Sequence, residues 1–160
     1  MGIKVNDQLG DYFQTRKGLI QGDPLSPILF NLVVDMLAVM ITRAKDIDRV
    51  KGVVPHLVED GLSILQYADD TVIFMDHDFQ KATNMKLILC VFEQLSGLKI
   101  NFHKSGLFCF GEAKQCEQQY AQLFGCGIGT YPFRYLGIPM HTRKLGNKDW
   151  QFVENVSKRN

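Results

Sequence analysis

The chain has 160 residues, of which 46% are hydrophobic and 11% aromatic, and its net charge is only +1. Such a composition supplies a core and excludes a disordered chain, and the length suits one compact domain or part of a larger one. The small total hides a split: residues 1–80 hold 7 Lys and Arg against 12 Asp and Glu, whereas residues 81–160 hold 11 against 5. An acidic half followed by a basic half suits a cation and a polyanion together, although a chance split of surface charge explains the numbers equally well at this point.

Residues 3–13 alternate loosely around Asn6-Asp7 and predict a short hairpin. The run Arg16-Lys17-Gly18-Leu19-Ile20-Gln21-Gly22-Asp23-Pro24-Leu25-Ser26-Pro27 reads as an ordered loop, in which Gly22 lets backbone approach a ligand closely. Ser26 and Pro27 suit the N-cap and first turn of a helix. That helix should run to about Ala44, with apolar residues at 29, 32, 33, 36, 37, 40 and 41. Asn31 and Asp35 interrupt the apolar run, which looks too short to span a bilayer, so the helix is expected to be core.

Residues 53–58 predict a strand, turned by Glu59-Asp60-Gly61 into an acidic hairpin. Two short apolar runs, 62–65 and 71–75, flank Ala68-Asp69-Asp70, which should lie at or near the turn. Adjacent residues in extended backbone point to opposite sides, so only one of the two carboxylates is expected to aim into a site, with its neighbour at the margin. Neighbouring carboxylates repel unless a cation neutralises them, and hard oxygens suit Mg²⁺. A lone Asp-Asp pair is more often a solvated acidic turn; the decision rests on the motifs around it.

Asp76-His77-Asp78 reads as the start of a helix over residues 79–95 rather than as a metal site, with Gly97 stopping the helix. Residues 98–102 and 107–110 predict strands, residues 112–124 a polar helix, 125–129 a loop, 132–136 a strand closed by Gly137-Ile138-Pro139, and residues 150–157 a last helix opened by Trp150. Cys90, Cys109, Cys116 and Cys126 show no C-x-x-C spacing, which argues against zinc. Without a signal peptide, a reducing intracellular setting, cytoplasm or nucleus, is expected. The pattern is α+β, an antiparallel sheet with helices packed on one face.

With these motifs together, the chain resembles a reverse transcriptase, of the plant-type non-LTR (LINE-like) retrotransposon kind. Residues 16–27 look like the loop and helix start lining the nucleotide and template side. Tyr67-Ala68-Asp69-Asp70 looks like the catalytic hairpin, and Gly97-Leu98-Lys99-Ile100-Asn101-Phe102-His103-Lys104-Ser105 is similar to the next palm motif. Phe133-Arg134-Tyr135-Leu136-Gly137 looks like the hairpin that grips the primer end, and Asp149-Trp150 is similar to the start of the thumb. Four motifs in the family's order carry more weight than any one of them.

The resemblance implies DNA synthesis on an RNA template from a DNA primer and deoxynucleotides, with Mg²⁺ or Mn²⁺ and no membrane. It places Asp69 and Asp70 as metal ligands, Gln21, Gly22 and Tyr67 near nucleotide and template, and Phe133, Arg134, Tyr135, Leu136 and Gly137 at the primer. A buried structural Tyr135 is an equal alternative. Lys104, ahead of Lys99, is the candidate to neutralise or protonate pyrophosphate, though a solvated lysine fits as well. For Arg143, Lys144 and Lys148 a solvated face is preferred over duplex phosphates.

In the family, a palm strand upstream of the Gln-Gly-Asp-Pro loop supplies a further metal-binding Asp. Asp7 and Asp11, the only acids ahead of Arg16, do not sit in a similar setting. The expectation is a partial palm over residues 1–140 and the start of a thumb over 141–160, catalytically silent alone. It should depend on a missing palm or fingers segment, or self-associate through its exposed sheet. A non-catalytic nucleic-acid-binding remnant and a degenerate open reading frame are the alternatives.

Overall fold

The computed structural model describes residues 4–5, 8–10, 22–146 and 150. The chain divides into two units, Met1–Asp35 and Met36–Asn160. In the first, strands β1 (Lys4–Val5) and β2 (Gln8–Leu9) pair antiparallel, Lys4 opposite Leu9 and Val5 opposite Gln8. This is the short hairpin expected around Asn6-Asp7.

Helix α1 spans Ser26–Asp46. Its entry is shaped by Asp23, whose carboxylate accepts the Leu25 amide and whose carbonyl accepts the Ser26 amide, both at 3.1 Å. Asp23 thus takes part in ordering the entry beside Ser26, the expected cap. Arg43 and Lys45 in the last turn complement the helix dipole. Two expectations for α1 need correction. Only its C-terminal half is core, through Leu37, Ile41 and Ala44, whereas Leu25 ahead of it and Ile28, Leu29 and Leu32 within it are exposed. At 21 residues and a mean hydropathy of 1.6, α1 is also long and apolar enough to cross a membrane by length and composition; two polar residues do not outweigh so many leucines and valines.

In the second unit, Val50 is buried beyond α1 and Ser63 before the next strand. The strand expected over residues 53–58 is absent: Val53 makes one antiparallel bridge to Leu62, and the chain then turns, with the Leu57 and Val58 amides both bonded to the Val54 carbonyl. Val54 itself sits at φ +50°, where a β-branched residue cannot continue a strand. The bridge brings Gly52 against Gly61 so closely that a Cβ on Gly52 would lie 2.7 Å from the Gly61 carbonyl carbon. Lys45 caps this contact by donating to the Gly61 carbonyl at 2.8 Å.

Strands β3 (Ile64–Tyr67) and β4 (Asp70–Ile73) form the acidic hairpin. Helix α2 (Phe79–Ser96) follows. Asp78 caps it, accepting the Lys81 amide at 3.0 Å, and Gly97 ends it at φ +72° with its amide on the Glu93 carbonyl. Ala82, Met85, Leu89 and Phe92 bury one face, while Leu95 is exposed. The segment 98–102 is not a strand. Its amides are taken by side chains of α2, that of Leu98 by Ser96 Oγ and that of Ile100 by Glu93 Oε1.

Strand β5 (Gly106–Leu107) pairs parallel with β6 (Gly127–Ile128), inside the expected loop. Between them run a 3-10 helix, Gly111–Cys116, and helix α3, Glu117–Phe124, in place of one continuous helix. Helix α3 packs on α2. Tyr120, Ala121 and Phe124 are its buried residues, and the Tyr120 hydroxyl lies 2.9 Å from His77 Nδ1. Lys86 of α2 donates to the Phe124 carbonyl at 3.0 Å and stands 3.5 Å over the Phe102 ring. One cation thus closes the C-terminus of α3 and anchors the irregular segment.

Strands β7 (Phe133–Tyr135) and β8 (Ile138–Met140) form a last antiparallel hairpin. The strands among the described residues thus form four two-stranded pairs, three antiparallel and one parallel, in an α+β arrangement. The expected last helix over residues 150–157 lies outside the described residues apart from Trp150. All four cysteines are free thiols. Burial pushes the thiols of Cys109 and Cys126 upward, which keeps them protonated and inert.

The contact between Gly52 and Gly61 sets a stability test. Gly52→Ala should lower the free energy of unfolding in urea by about 1–3 kcal/mol, because two backbones must part to admit the methyl. The same change at Gly127, where a Cβ meets nothing within 4 Å, should leave the midpoint near that of the parent. Equal midpoints for both variants would contradict the packing described.

Candidate active site

The acidic hairpin has a two-residue loop. Ile64 faces Ile73, Leu65 faces Val72, Gln66 faces Thr71 and Tyr67 faces Asp70, leaving Ala68 and Asp69 as the loop. β-Branched and leucine pairs hold the ladder, and Gln66 Nε2 reaches Thr71 Oγ1 at 3.4 Å. The right-handed strand twist favours loops with a positive φ, and Ala68 takes φ +50°. For a residue with a Cβ that conformation costs roughly 1–2 kcal/mol.

The geometry changes how the two carboxylates are read. Asp69 occupies the loop and Asp70 the first position of β4, so the alternation of an extended strand does not separate them. Both are exposed, as are Tyr67 and Thr71. Two adjacent carboxylates thus stand at an open, exposed apex.

The β7–β8 hairpin meets this apex. The Tyr135 hydroxyl donates to the Asp70 carbonyl at 3.4 Å. Leu136 at φ +51° and Gly137 at φ +81° form its own two-residue loop, the pattern of the I′ turn that suits hairpins. Phe133 at its start stacks on Phe108 at 4.0 Å between ring centroids. Phe133 and Tyr135 are half-buried, while Arg134, Leu136 and Gly137 are exposed. Tyr135, weighed as a primer contact or a structural residue, has its phenol on the backbone of the acidic turn. The five-residue motif marked the hairpin, but a contact spanning 65 residues leaves no sequence signal.

The other expected site residues lie on separate stretches of the chain. Lys104 is exposed in a turn where its amide bonds the carbonyl of Asn101 at 3.0 Å and the side chain of Asn101 at 3.1 Å. Lys99 is also exposed. Gly22 belongs to the first unit and takes φ +92°, a conformation that requires glycine. Arg143 and Lys144 are exposed; Gln21 and Lys148 lie outside the described residues.

A hairpin with paired carboxylates at its loop, touched by a second hairpin, is what the resemblance to a reverse transcriptase implies, and comparison with known proteins agrees on the family. The family described as reverse transcriptase (RNA-dependent DNA polymerase) matches residues 1–140, and the chain belongs to that family. It is 34% identical over 130 residues to the Retrovirus-related Pol polyprotein from type-1 retrotransposable element R2 of Popillia japonica, covering 76% of this chain and 17% of the relative. It is also 34% identical over 144 residues to the corresponding polyprotein from the type-2 element R2DM of Drosophila melanogaster, covering 79% and 12%. A 55-residue stretch, 34% of the chain, is 40% identical to the uncharacterized mitochondrial protein AtMg01250 of Arabidopsis thaliana and covers 45% of it. The chain therefore spans less than a fifth of the R2 polyproteins, and it is a segment of the non-LTR retrotransposon kind.

Reverse transcriptases work on a nucleic-acid template with nucleotide substrates and divalent cations. The donors here fit that requirement in part. Two carboxylates suit Mg²⁺, which completes its shell with water and substrate phosphates. Among the described residues, no group of three or more His, Cys, Asp or Glu side chains gathers to hold an ion.

The Tyr135 contact has a direct readout. Tyr135→Phe should change global stability by no more than about 1.5 kcal/mol, yet speed amide hydrogen exchange across Asp70–Ile73. Unchanged exchange there would mean that the phenol does not brace the turn.

Proposed function

We propose that this chain supplies the central palm of an RNA-directed DNA polymerase of a non-LTR retrotransposon, with residues 1–140 in the palm and 141–160 opening the thumb. The observation that carries the reading is the tight β3–β4 hairpin with Asp69 in its loop and Asp70 at the first strand position. Its substrates are an RNA template, a DNA primer and deoxynucleotides. Asp69 and Asp70 hold Mg²⁺, with Mn²⁺ as a substitute. A divalent cation held by these two carboxylates would supply activation of the primer 3′-hydroxyl and neutralisation of charge on the pyrophosphate.

The remaining residues position the strands. Tyr67 lies beside the primer–template minor groove, and the resemblance carries the nucleotide and template role to Gln21 and Gly22. The Phe133-Arg134-Tyr135-Leu136-Gly137 hairpin holds the primer end, with Tyr135 bracing the acidic turn. Lys104 Nζ donates a proton to the departing pyrophosphate. The basic second half of the chain gives a salt-sensitive affinity for nucleic acid, so binding weakens as salt rises. Free thiols and a nucleic-acid substrate suit the cytoplasm or nucleus. Among the described residues no third acidic ligand joins Asp69 and Asp70, and the 160-residue chain is silent by itself.

A chimaera tests this. The matching stretch of the Popillia japonica R2 polyprotein is replaced by the corresponding residues of this chain, and deoxynucleotide incorporation on an RNA template is measured with Mg²⁺ against the parent. The chimaera should incorporate, Asp69→Asn should lower the rate at least about a hundredfold, and the isolated chain should show no incorporation. A folded chimaera that stays inactive beside an active parent would overturn the polymerase reading. Asp69-dependent incorporation by the isolated chain would overturn its silence.

A further inference from the structure

Between the 3-10 helix, the stretch after β6 and the end of β8 lies an open cavity of about 540 Å³, a volume that takes a nucleotide-sized molecule. Its wall combines an ammonium, Lys114, a carboxylate, Glu117, two hydroxyls, Thr130 and Thr142, an imidazole, His141, and a phenol ring, Tyr131. None of these residues belongs to the acidic hairpin or to the primer-holding motif.

The ring is held in place. Tyr131 meets Phe108 edge-on at 5.7 Å and Phe133 at 5.8 Å, and those two rings stack on each other. Gly129 lets the Phe108 ring close down, since a Cβ there would lie 2.3 Å from it. The imidazole is oriented as well: the Arg143 amide donates to His141 Nδ1 at 3.2 Å, which leaves the neutral ring with its proton on Nε2. The Tyr131 and His141 rings stand 6.3 Å apart at 33°.

The charges of Lys114 and Glu117 oppose each other, so a bare phosphate is a poor match. A nucleobase is a good one. It has a flat face for the Tyr131 ring, and its edge carries donors for Glu117 and acceptors for Lys114 and His141 Nε2, with both hydroxyls serving either sense. Protein sites of this kind read bases that are free of a duplex, because stacking and edge hydrogen bonds both require an unpaired base.

We propose that this cavity binds an unpaired nucleobase of a single-stranded nucleic acid. The source of the strand rests on the polymerase reading, since the same hairpin links the two places. Tyr131 on the cavity and Tyr135 on the Asp70 carbonyl are four residues apart, at most about 14 Å of chain. A strand at the acidic turn therefore reaches the cavity within a few nucleotides, and the exposed Lys144 follows the cavity in sequence.

The test is fluorescence anisotropy of the 160-residue chain with labelled single-stranded RNA and DNA decamers and with the matching duplexes, without deoxynucleotides or divalent cations. Single strands should bind at least tenfold more tightly than duplexes. Tyr131→Leu should weaken single-strand binding roughly five- to hundredfold, as expected for loss of one base stack, and Tyr131→Phe should restore it. Lys114→Ala, an exposed position whose loss leaves the fold intact, should weaken single strands several-fold and duplexes little. Unchanged single-strand affinity in Lys114→Ala, or equal affinity for duplex, overturns the proposal. Because no chemistry is read, an inactive polymerase chimaera with these binding shifts intact condemns the polymerase reading alone.

Discussion

The site depends on a loop of two residues. Because Tyr67 pairs with Asp70, the chain must reverse at Ala68 and Asp69, and reversal that tight demands a positive φ that Ala68 accepts at a cost. The loop also crowds two like charges, which raises the cost further at neutral pH. What opposes these terms is the apolar ladder behind the loop, Ile64 with Ile73 and Leu65 with Val72, and the Tyr135 phenol on the Asp70 carbonyl. Under the proposed reading, a cation held at this apex would offset the repulsion between the two carboxylates.

The rest of the second unit serves as a support for the two hairpins. Helix α2 is fixed at one end by the Asp78 cap and at the other by Gly97. Its Lys81 pairs with Asp48 at 2.9 Å and its Asn84 donates to the Arg49 carbonyl, tying the chain that leaves α1 to the helix. Lys86 joins α3 and residue 102 to the same helix. The aromatic group of Phe108, Tyr131 and Phe133 then carries the β7–β8 hairpin, which touches the acidic turn at one end and the mixed cavity at the other. Stability and positioning are thus carried by a few named contacts rather than by one large sheet.

Much of this was legible in the sequence where local chemistry decides structure. Asp78 and Gly97 mark the ends of α2 through cap preferences that act within four residues, and the acidic turn follows from two apolar runs around Ala68-Asp69. The errors fall where tertiary contacts override pattern. Residues 98–102 alternate like a strand, but Ser96 and Glu93 take their amides. Residues 53–58 read as a strand until Gly52 and Gly61 come together and force Val54 into a turn. The periodicity of α1 predicted a buried helix, yet Leu32 is 63% exposed, because apolar spacing shows which face is greasy and not what covers it. The placement of Tyr135, and the cavity lined from residues 114 to 142, come from distant stretches meeting, which no motif encodes.

The central claim is that Asp69 and Asp70 hold a divalent cation at the apex of the hairpin. Titrating the ¹⁵N-labelled chain with Mn²⁺ and following paramagnetic broadening of each amide tests it most directly. The account predicts that the amides of Ala68, Asp69, Asp70 and Thr71 broaden first, that Mg²⁺ competes the effect away, and that Asp69→Asn with Asp70→Asn abolishes it. Broadening that begins elsewhere, or persists in the double variant, would contradict it.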